Sequence, residues 1–356
     1  MTIAIDARLI GASATGDSTY WAGLVFGLSQ LSDSFRLLLI SNQPKPSDLP
    51  NDERFVWRRL PGSNSRWWSY VSFPLFARRE GADVIHTQYS LSPLAGRRGI
   101  TTIHDVSFLI GPEWFKPRDR FLLSRTVPAA ARRAAAVITV SETSKGEIER
   151  LIPAAKGRVT ATPLAAATWI KRVEEEEARR TVKNDFGLEG EFLLTVSTRW
   201  PRKNMKLAVD AVLGMDRGVP LALTGKAGWD GTEGGGRIRA LGYVTNEQLC
   251  ALYSTASAYL CPSWHEGFGL PLLEAFRCGC PVITSSGGAL PEVAGDAAIV
   301  LPPDKPGPWT QAIQELLSNS SKMAQMRECG FRREAEFSWR KTAETTLNVY
   351  RQVAGK

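Results

Sequence analysis

Short apolar runs recur along the chain, each closed by polar residues or glycine, and this spacing predicts buried strands. Thr2–Asp6, Phe35–Ser41, Asp83–Tyr89, Ile100–Val106 and a run from Val137 read as strands in the first half. A run opening at Phe192, then Leu221–Gly225, Ala258–Pro262 and the stretch after Cys280, read as strands in the second. Trp21 to Leu31 has helical apolar spacing, and Ser141 or Thr143 is placed to cap a helix after Val137–Val140. Strand, polar glycine loop (Gly11 to Tyr20) and helix open a doubly wound α/β domain, although no Gly-x-Gly-x-x-Gly is present. Pro163 to Asp185 turns Ala-rich and then strongly charged, which predicts a linker followed by a solvated helix. Trp57 to Arg79 admits two readings. One is a membrane-surface patch with Trp67 and Trp68 at the interface; the other is a core helix with arginine stems wrapped round it.

The densest chemistry lies in Ser263-Trp-His-Glu-Gly-Phe-Gly-Leu-Pro-Leu-Leu-Glu-Ala-Phe-Arg-Cys278. Pro271 suits a first helical turn and Gly279 a C-terminal stop. The amides of Gly267, Phe268, Gly269 and Leu270 then stand at a helix N-terminus beside glycines, which predicts an anion site of phosphate type. Glu266 would sit beside the group carried by that phosphate, and Glu274 one turn deeper, toward a ligand hydroxyl. A second glycine loop follows at Ser285-Ser-Gly-Gly288. Arg199, Arg202 and Lys203 sit in a basic loop after the strand at 192–197, placed to meet negative charge. Of three histidines, His86 and His104 close strands and His265 touches the motif. Ligands of open α/β sheets bind at such strand ends.

Composition narrows the class. With 356 residues, 43% apolar and 22% charged, the chain suits two globular domains. No apolar run approaches the length of a membrane span and the N-terminus has no signal-peptide pattern, so a cytoplasmic protein is expected. The five cysteines read as reduced packing residues, since Cys278-Gly-Cys280 has no second pair at metal spacing. Residues 1–165 hold 21 Lys+Arg against 14 Asp+Glu, and the rest 23 against 22, so the positive charge is concentrated in the first half. That asymmetry predicts an anionic partner there, such as a phosphate-bearing acceptor or an anionic membrane.

The two-glutamate motif resembles the signature of retaining family-four (group 1) glycosyltransferases of the GT-B fold. Thr102-Ile-His-Asp-Val-Ser-Phe-Leu-Ile-Gly-Pro-Glu-Trp-Phe115 resembles the mannosyltransferase-like branch, and Val137–Lys145 matches the family's pattern too. The resemblance implies two Rossmann-like doubly wound α/β domains facing a central cleft. The first would span 1–165, acceptor-side; the second 166–337, binding the nucleotide-sugar donor; and a C-terminal helix, 338–356, would cross back to the first. It implies that Trp57–Arg79 is core packing, with a peripheral membrane role second. It implies that Lys203 and an arginine bind the donor diphosphate. Arg199 is favoured over Arg202, because Arg202 follows Pro201 and would point outward. It further implies that His104 contacts the transferred sugar while Asp105 caps or orients, that the backbone at Val244 meets the base, and that Gly16 is a close-approach position. The loop before Tyr20 departs from the family, with Asp17-Ser18 in place of a denser glycine pair.

The resulting expectation is a metal-independent, retaining hexosyl transfer, since no Asp-x-Asp stands at a strand end and basic side chains can neutralise the leaving diphosphate. No cofactor is expected. The donor is a nucleotide-diphosphate sugar, GDP-mannose favoured with UDP-sugars sharing the frame. The acceptor is a glycan or lipid-linked sugar, with peripheral contact to an anionic membrane and no nucleic acid. His104 and Glu266 carry the chemistry. Two other readings stay open: a nucleotide-sugar epimerase of the same fold, and a non-catalytic nucleotide-sugar-binding protein. A glycoside hydrolase is disfavoured, since a Lys/Arg phosphate clamp has no purpose there.

Overall fold

A computed structural model of the chain describes residues 1–11, 15–62, 65–198, 200–225 and 235–355. The chain forms two compact units, Met1–Ala165 with Ser338–Lys356, and Ala166–Phe337. The first holds a seven-stranded sheet of β1 (Thr2–Asp6), β2 (Arg36–Ser41), β3 (Phe55–Arg59), β4 (Val84–Gln88), β5 (Gly99–Thr102), β6 (Ala136–Thr139) and β7 (Val159–Ala161). Its order is β3-β2-β1-β4-β5-β6-β7, and every pairing is parallel. Parallel sheets are covered on both faces, which is why β2 and β5 read as near-continuous apolar or small residues.

One face is packed by a cluster that includes Trp68, Phe73, Val127 and Ile148. Trp57–Arg79 therefore divides three ways. Residues 55–59 form a strand, Trp68 stacks on Phe73 in the core at 5.1 Å between centroids, and Trp67 stands 63% exposed. The expected helix accounts for the later part, with α-helical turns at Ser65–Trp67 and Phe73–Arg79 joined by a π-helical turn at Trp68–Ser72.

On the helix Gly16–Ser29, Gly23 and Gly27 lie one turn apart and form a seat for the terminal helix Trp339–Ala354. A Cβ at Gly23 would lie 2.2 Å from the Trp339 indole, and one at Gly27 would lie 2.0 Å from the Trp339 carbonyl oxygen. Only glycine permits so close an approach. The far end of the terminal helix is fixed by a buried hydrogen bond between Tyr350 OH and His86 Nδ1, 2.7 Å.

The second unit holds β8 (Leu193–Val196), β9 (Leu221–Thr224), β10 (Ile238–Gly242), β11 (Ala258–Cys261), β12 (Val282–Ser285) and β13 (Ala298–Leu301). The order is β10-β9-β8-β11-β12-β13, again with every pairing parallel. The charged segment after Pro163 becomes the helix Glu175–Phe186, whose N-terminus Glu174 caps by accepting from the amides of Glu176 and Glu177.

Candidate active site

In the second unit the chain leaves β8 and makes a 3₁₀ turn over Pro201–Lys203. Asn204 closes the turn in a left-handed conformation, φ 53°, and anchors it by donating to the carbonyls of Pro262 (3.0 Å) and Pro303 (2.8 Å). This turn points both basic residues inward. Arg202 Nη1 donates to Glu266 Oε2 at 2.8 Å, and Lys203 Nζ to Glu266 Oε1 at 2.6 Å. Ser263 Oγ adds a third bond to Oε1 at 2.6 Å. The expectation that Arg202 points outward is thus corrected: proline's fixed φ opens the turn, and the turn carries the next residue back toward β11. Arg199 lies outside the described residues.

Glu266 is 8% exposed. Burial alone would raise its carboxyl, but the charges of Arg202 and Lys203, with the Lys203 and Ser263 hydrogen bonds, hold it well below the ordinary carboxylate range. It is therefore an ionised carboxylate flanked by two cations, so the cluster keeps one net positive charge. Its backbone is fixed as well. Glu266 bridges to Gly288, and its carbonyl accepts from Ala289 N at 2.9 Å. At Gly288, φ is +62° and a Cβ would lie 2.3 Å from the Glu266 oxygen, so the second glycine loop serves to seat Glu266.

The helix Leu270–Arg277 begins beside this cluster, after Gly269 at φ +101°. No side chain caps it; in its first turn Pro271 has no N–H and Leu272 N donates to the Gly269 carbonyl at 2.9 Å. Phe268 is buried edge-on against Phe337, 5.9 Å between centroids. Ser197, Lys203, Ser263, Glu266, Gly269 and Pro271 share the lining of one recess. Glu274 lies deeper in the helix, 8% exposed, and accepts from Tyr253 OH at 3.3 Å. Burial pushes its carboxyl up to about 7, with the tyrosine bond opposing. The two glutamates thus differ sharply, one held ionised by its flanking cations and one raised by burial toward neutral pH. Val244 is buried in the turn between β10 and the helix Asn246–Thr255.

In the first unit His104 follows β5 and is nearly buried. Its Nε2 is in hydrogen-bond contact with Gln88 Nε2 at the end of β4, and lies 3.6 Å from Asp17 Oδ1. Burial holds its imidazole below the ordinary histidine range, with Asp17 and Asp105 opposing. Asp105 caps the next turn by accepting from Ser107 N (2.9 Å) and Ser107 Oγ (2.6 Å). His86 is structural: it joins Tyr350 to Thr102 Oγ1 (2.7 Å), and burial lowers it to about 3. Gly16 is the exposed first residue of its helix, and a Cβ there would meet no protein atom within 4 Å. Among the described residues, no packing requires glycine at that position.

Sequence reasoning missed Gln88, Tyr253 and Ser263. Their signal is faint, since each is an ordinary polar residue whose partner lies far off in sequence, except for Ser263, three residues before Glu266. The cysteines are free thiols, four buried and Cys329 half-buried. Among the described residues no group of three or more His, Cys, Asp or Glu could hold a metal, and no helix is long and apolar enough to cross a membrane.

Two family models match the chain: Glycosyltransferase Family 4 over residues 18–165 and Glycosyl transferases group 1 over 176–333. The O-antigen chain mannosyltransferase B of Escherichia coli is 34% identical over 270 residues, 71% of this chain and 70% of that one. Among solved structures, a sucrose-phosphate synthase from Thermosynechococcus elongatus superposes with a TM-score of 0.77 at 20% identity, covering 100% of this chain and 99% of that chain. HepE from Anabaena, solved with UDP and glucose, gives 0.72 at 16% identity over 98% of each. These likenesses extend over both units and share the GT-B fold. The chain belongs to the group 1, family 4 glycosyltransferases, hexosyl-transferring enzymes with mannosyltransferases among its relatives.

Proposed function

We propose that this enzyme transfers a mannosyl group, with retention, from a nucleotide-diphosphate sugar to a glycan or lipid-linked acceptor in polysaccharide assembly, without a metal ion. GDP-mannose is the favoured donor. The observation that carries the reading is the Arg202–Lys203–Glu266 cluster beside the first turn of Leu270–Arg277. Loss of a sugar from a diphosphate needs the developing phosphate charge neutralised. Two inward cations and a helix N-terminus supply that neutralisation from the protein itself. The relative's name supports mannose and a polysaccharide acceptor.

In this reading Lys203 and Arg202 hold the diphosphate with the amides of Gly267 to Leu270. Glu266 contacts the transferred sugar and His104 holds one of its hydroxyls. Glu274 accepts from the ribose hydroxyls, and the turn at Val244 meets the base. The bond from the anomeric carbon to the diphosphate oxygen breaks with its electron pair leaving on phosphate. The acceptor oxygen bonds to that carbon on the same face, and its proton passes to the leaving phosphate. The basic first unit takes the anionic acceptor, and peripheral contact with an anionic membrane through exposed residues such as Trp67 and Phe121 fits its charge.

A donor screen with product analysis tests this. Mannosyl transfer from GDP-mannose, with the donor's anomeric configuration kept, supports it. Transfer from UDP-sugars alone would overturn the donor assignment, inversion the stereochemistry, and an epimerised donor without any transfer the reaction class.

A further inference from the structure

We propose that Gln88 is a positioning residue that holds His104 as the neutral Nδ1–H tautomer, leaving His104 one proton to offer a ligand and no available lone pair. The proposal rests on the reading that His104 meets the transferred sugar, but it stands on hydrogen-bond chemistry within the first unit.

An amide side chain has one accepting and one donating end, and its neighbours decide which way it lies. Two neighbours decide here. The Trp21 indole nitrogen is a donor only, and it lies 2.9 Å from Gln88 Oε1. The Asp17 carboxylate is an acceptor only, and Gln88 Nε2 donates to its Oδ1 at 3.0 Å. Flipping the amide would set donor against donor and acceptor against carboxylate at once. The end of Gln88 that touches His104 Nε2 is therefore the NH₂, whose second hydrogen points at the ring nitrogen. That nitrogen must carry its lone pair, so the single proton of neutral His104 sits on Nδ1.

The groups around the ring pull in both directions. Asp17, on the helix Gly16–Ser29, and Asp105, after β5, favour the imidazolium. Burial opposes it, and the Tyr20 ring packs edge-on at 4.9 Å with Tyr89 at 5.6 Å. His86 on β4 is the other nearby titratable ring, and it too is held neutral. Protonating His104 Nε2 would place two N–H groups head to head. Gln88 thus disfavours both the other tautomer and the charged ring. A histidine so held does not serve as a general base, and its service to a sugar hydroxyl is as a donor.

The test is long-range ¹H–¹⁵N NMR of histidine-labelled protein, where only three histidines contribute and His104→Asn assigns the signal. Wild type should show a protonated Nδ1 and a lone-pair Nε2 at neutral pH. Gln88→Glu, which can only accept, should move the proton to Nε2 or charge the ring and raise the pH at which it titrates. Turnover should fall roughly tenfold with KM little changed. A protonated Nε2 in wild type overturns the proposal whatever the variant does. So does an unaltered His104 pattern in a folded Gln88→Glu protein. If the tautomer is as stated but His104→Asn keeps full turnover, the sugar contact fails and the tautomer assignment stands.

Discussion

Lys203 Nζ lies 2.6 Å from Glu266 Oε1, so the lysine is held in place by the carboxylate beside it. Lys203→Met leaves Arg202 and Ser263 on that carboxylate but removes one charge-assisted bond. The expected cost is about 1.5–3 kcal/mol, read from the urea midpoint. The sign with pH follows from the depressed Glu266 carboxyl. Its contribution is present above the ordinary value of 4.5 and is lost as pH falls below it. The stability gap between variant and wild type should therefore narrow as pH drops below 4.5.

Gly288→Ala strikes the same site through the backbone. The position has φ +62°, and an added Cβ would lie 2.3 Å from the Glu266 carbonyl. The loop must shift, at about 1–3 kcal/mol, and Glu266 shifts with it. Turnover should fall at least tenfold while the protein stays folded, with circular dichroism confirming the fold.

Glu274 should give nucleotide binding a pH dependence. If Glu274 accepts from two ribose hydroxyls as proposed, a carboxyl poised near 7 does so with both oxygens only once ionised. GDP affinity should rise from pH 6 to pH 8 by roughly fivefold to tenfold, and Glu274→Gln should lack that part of the rise. Stability has the opposite sign. A raised carboxyl favours the folded state below 4.5, and that contribution fades as pH climbs to about 7. Calorimetric titration and urea melts at each pH read the two effects separately.

Gly27→Val should lift the terminal helix from its seat, because the Trp339 carbonyl leaves no room for a side chain. The cost should exceed 1 kcal/mol, and amide exchange across Trp339–Ala354 should quicken more than that across β11 and β12.

The pattern of strands shows what the sequence can and cannot disclose. Among the described residues, all nine interior strands fall within segments that the sequence marks as strands. The four that escape, β3, β7, β10 and β13, are the four sheet edges. An interior strand such as β12 is buried at every position, whereas β3 and β10 each bury one residue fully, so no apolar run is required of them. The site divides in a similar way. Glu266, the glycines and Lys203 were legible because helix-start chemistry is local in sequence. Arg202 was misread because the turn that carries it inward depends on Asn204 reaching Pro262 and Pro303. Gln88 was invisible because Trp21 and Asp17, 67 and 71 residues away, give it its role.

The central claim is that Arg202, Lys203 and a helix N-terminus hold the donor diphosphate without a divalent ion. Calorimetry of GDP binding in EDTA, on wild type and on Lys203→Met, tests it most directly. The account predicts the same affinity with EDTA as with magnesium in wild type, and at least a tenfold loss in the variant. Binding that disappears in EDTA and returns with magnesium, or a variant that binds as tightly as wild type, would contradict it.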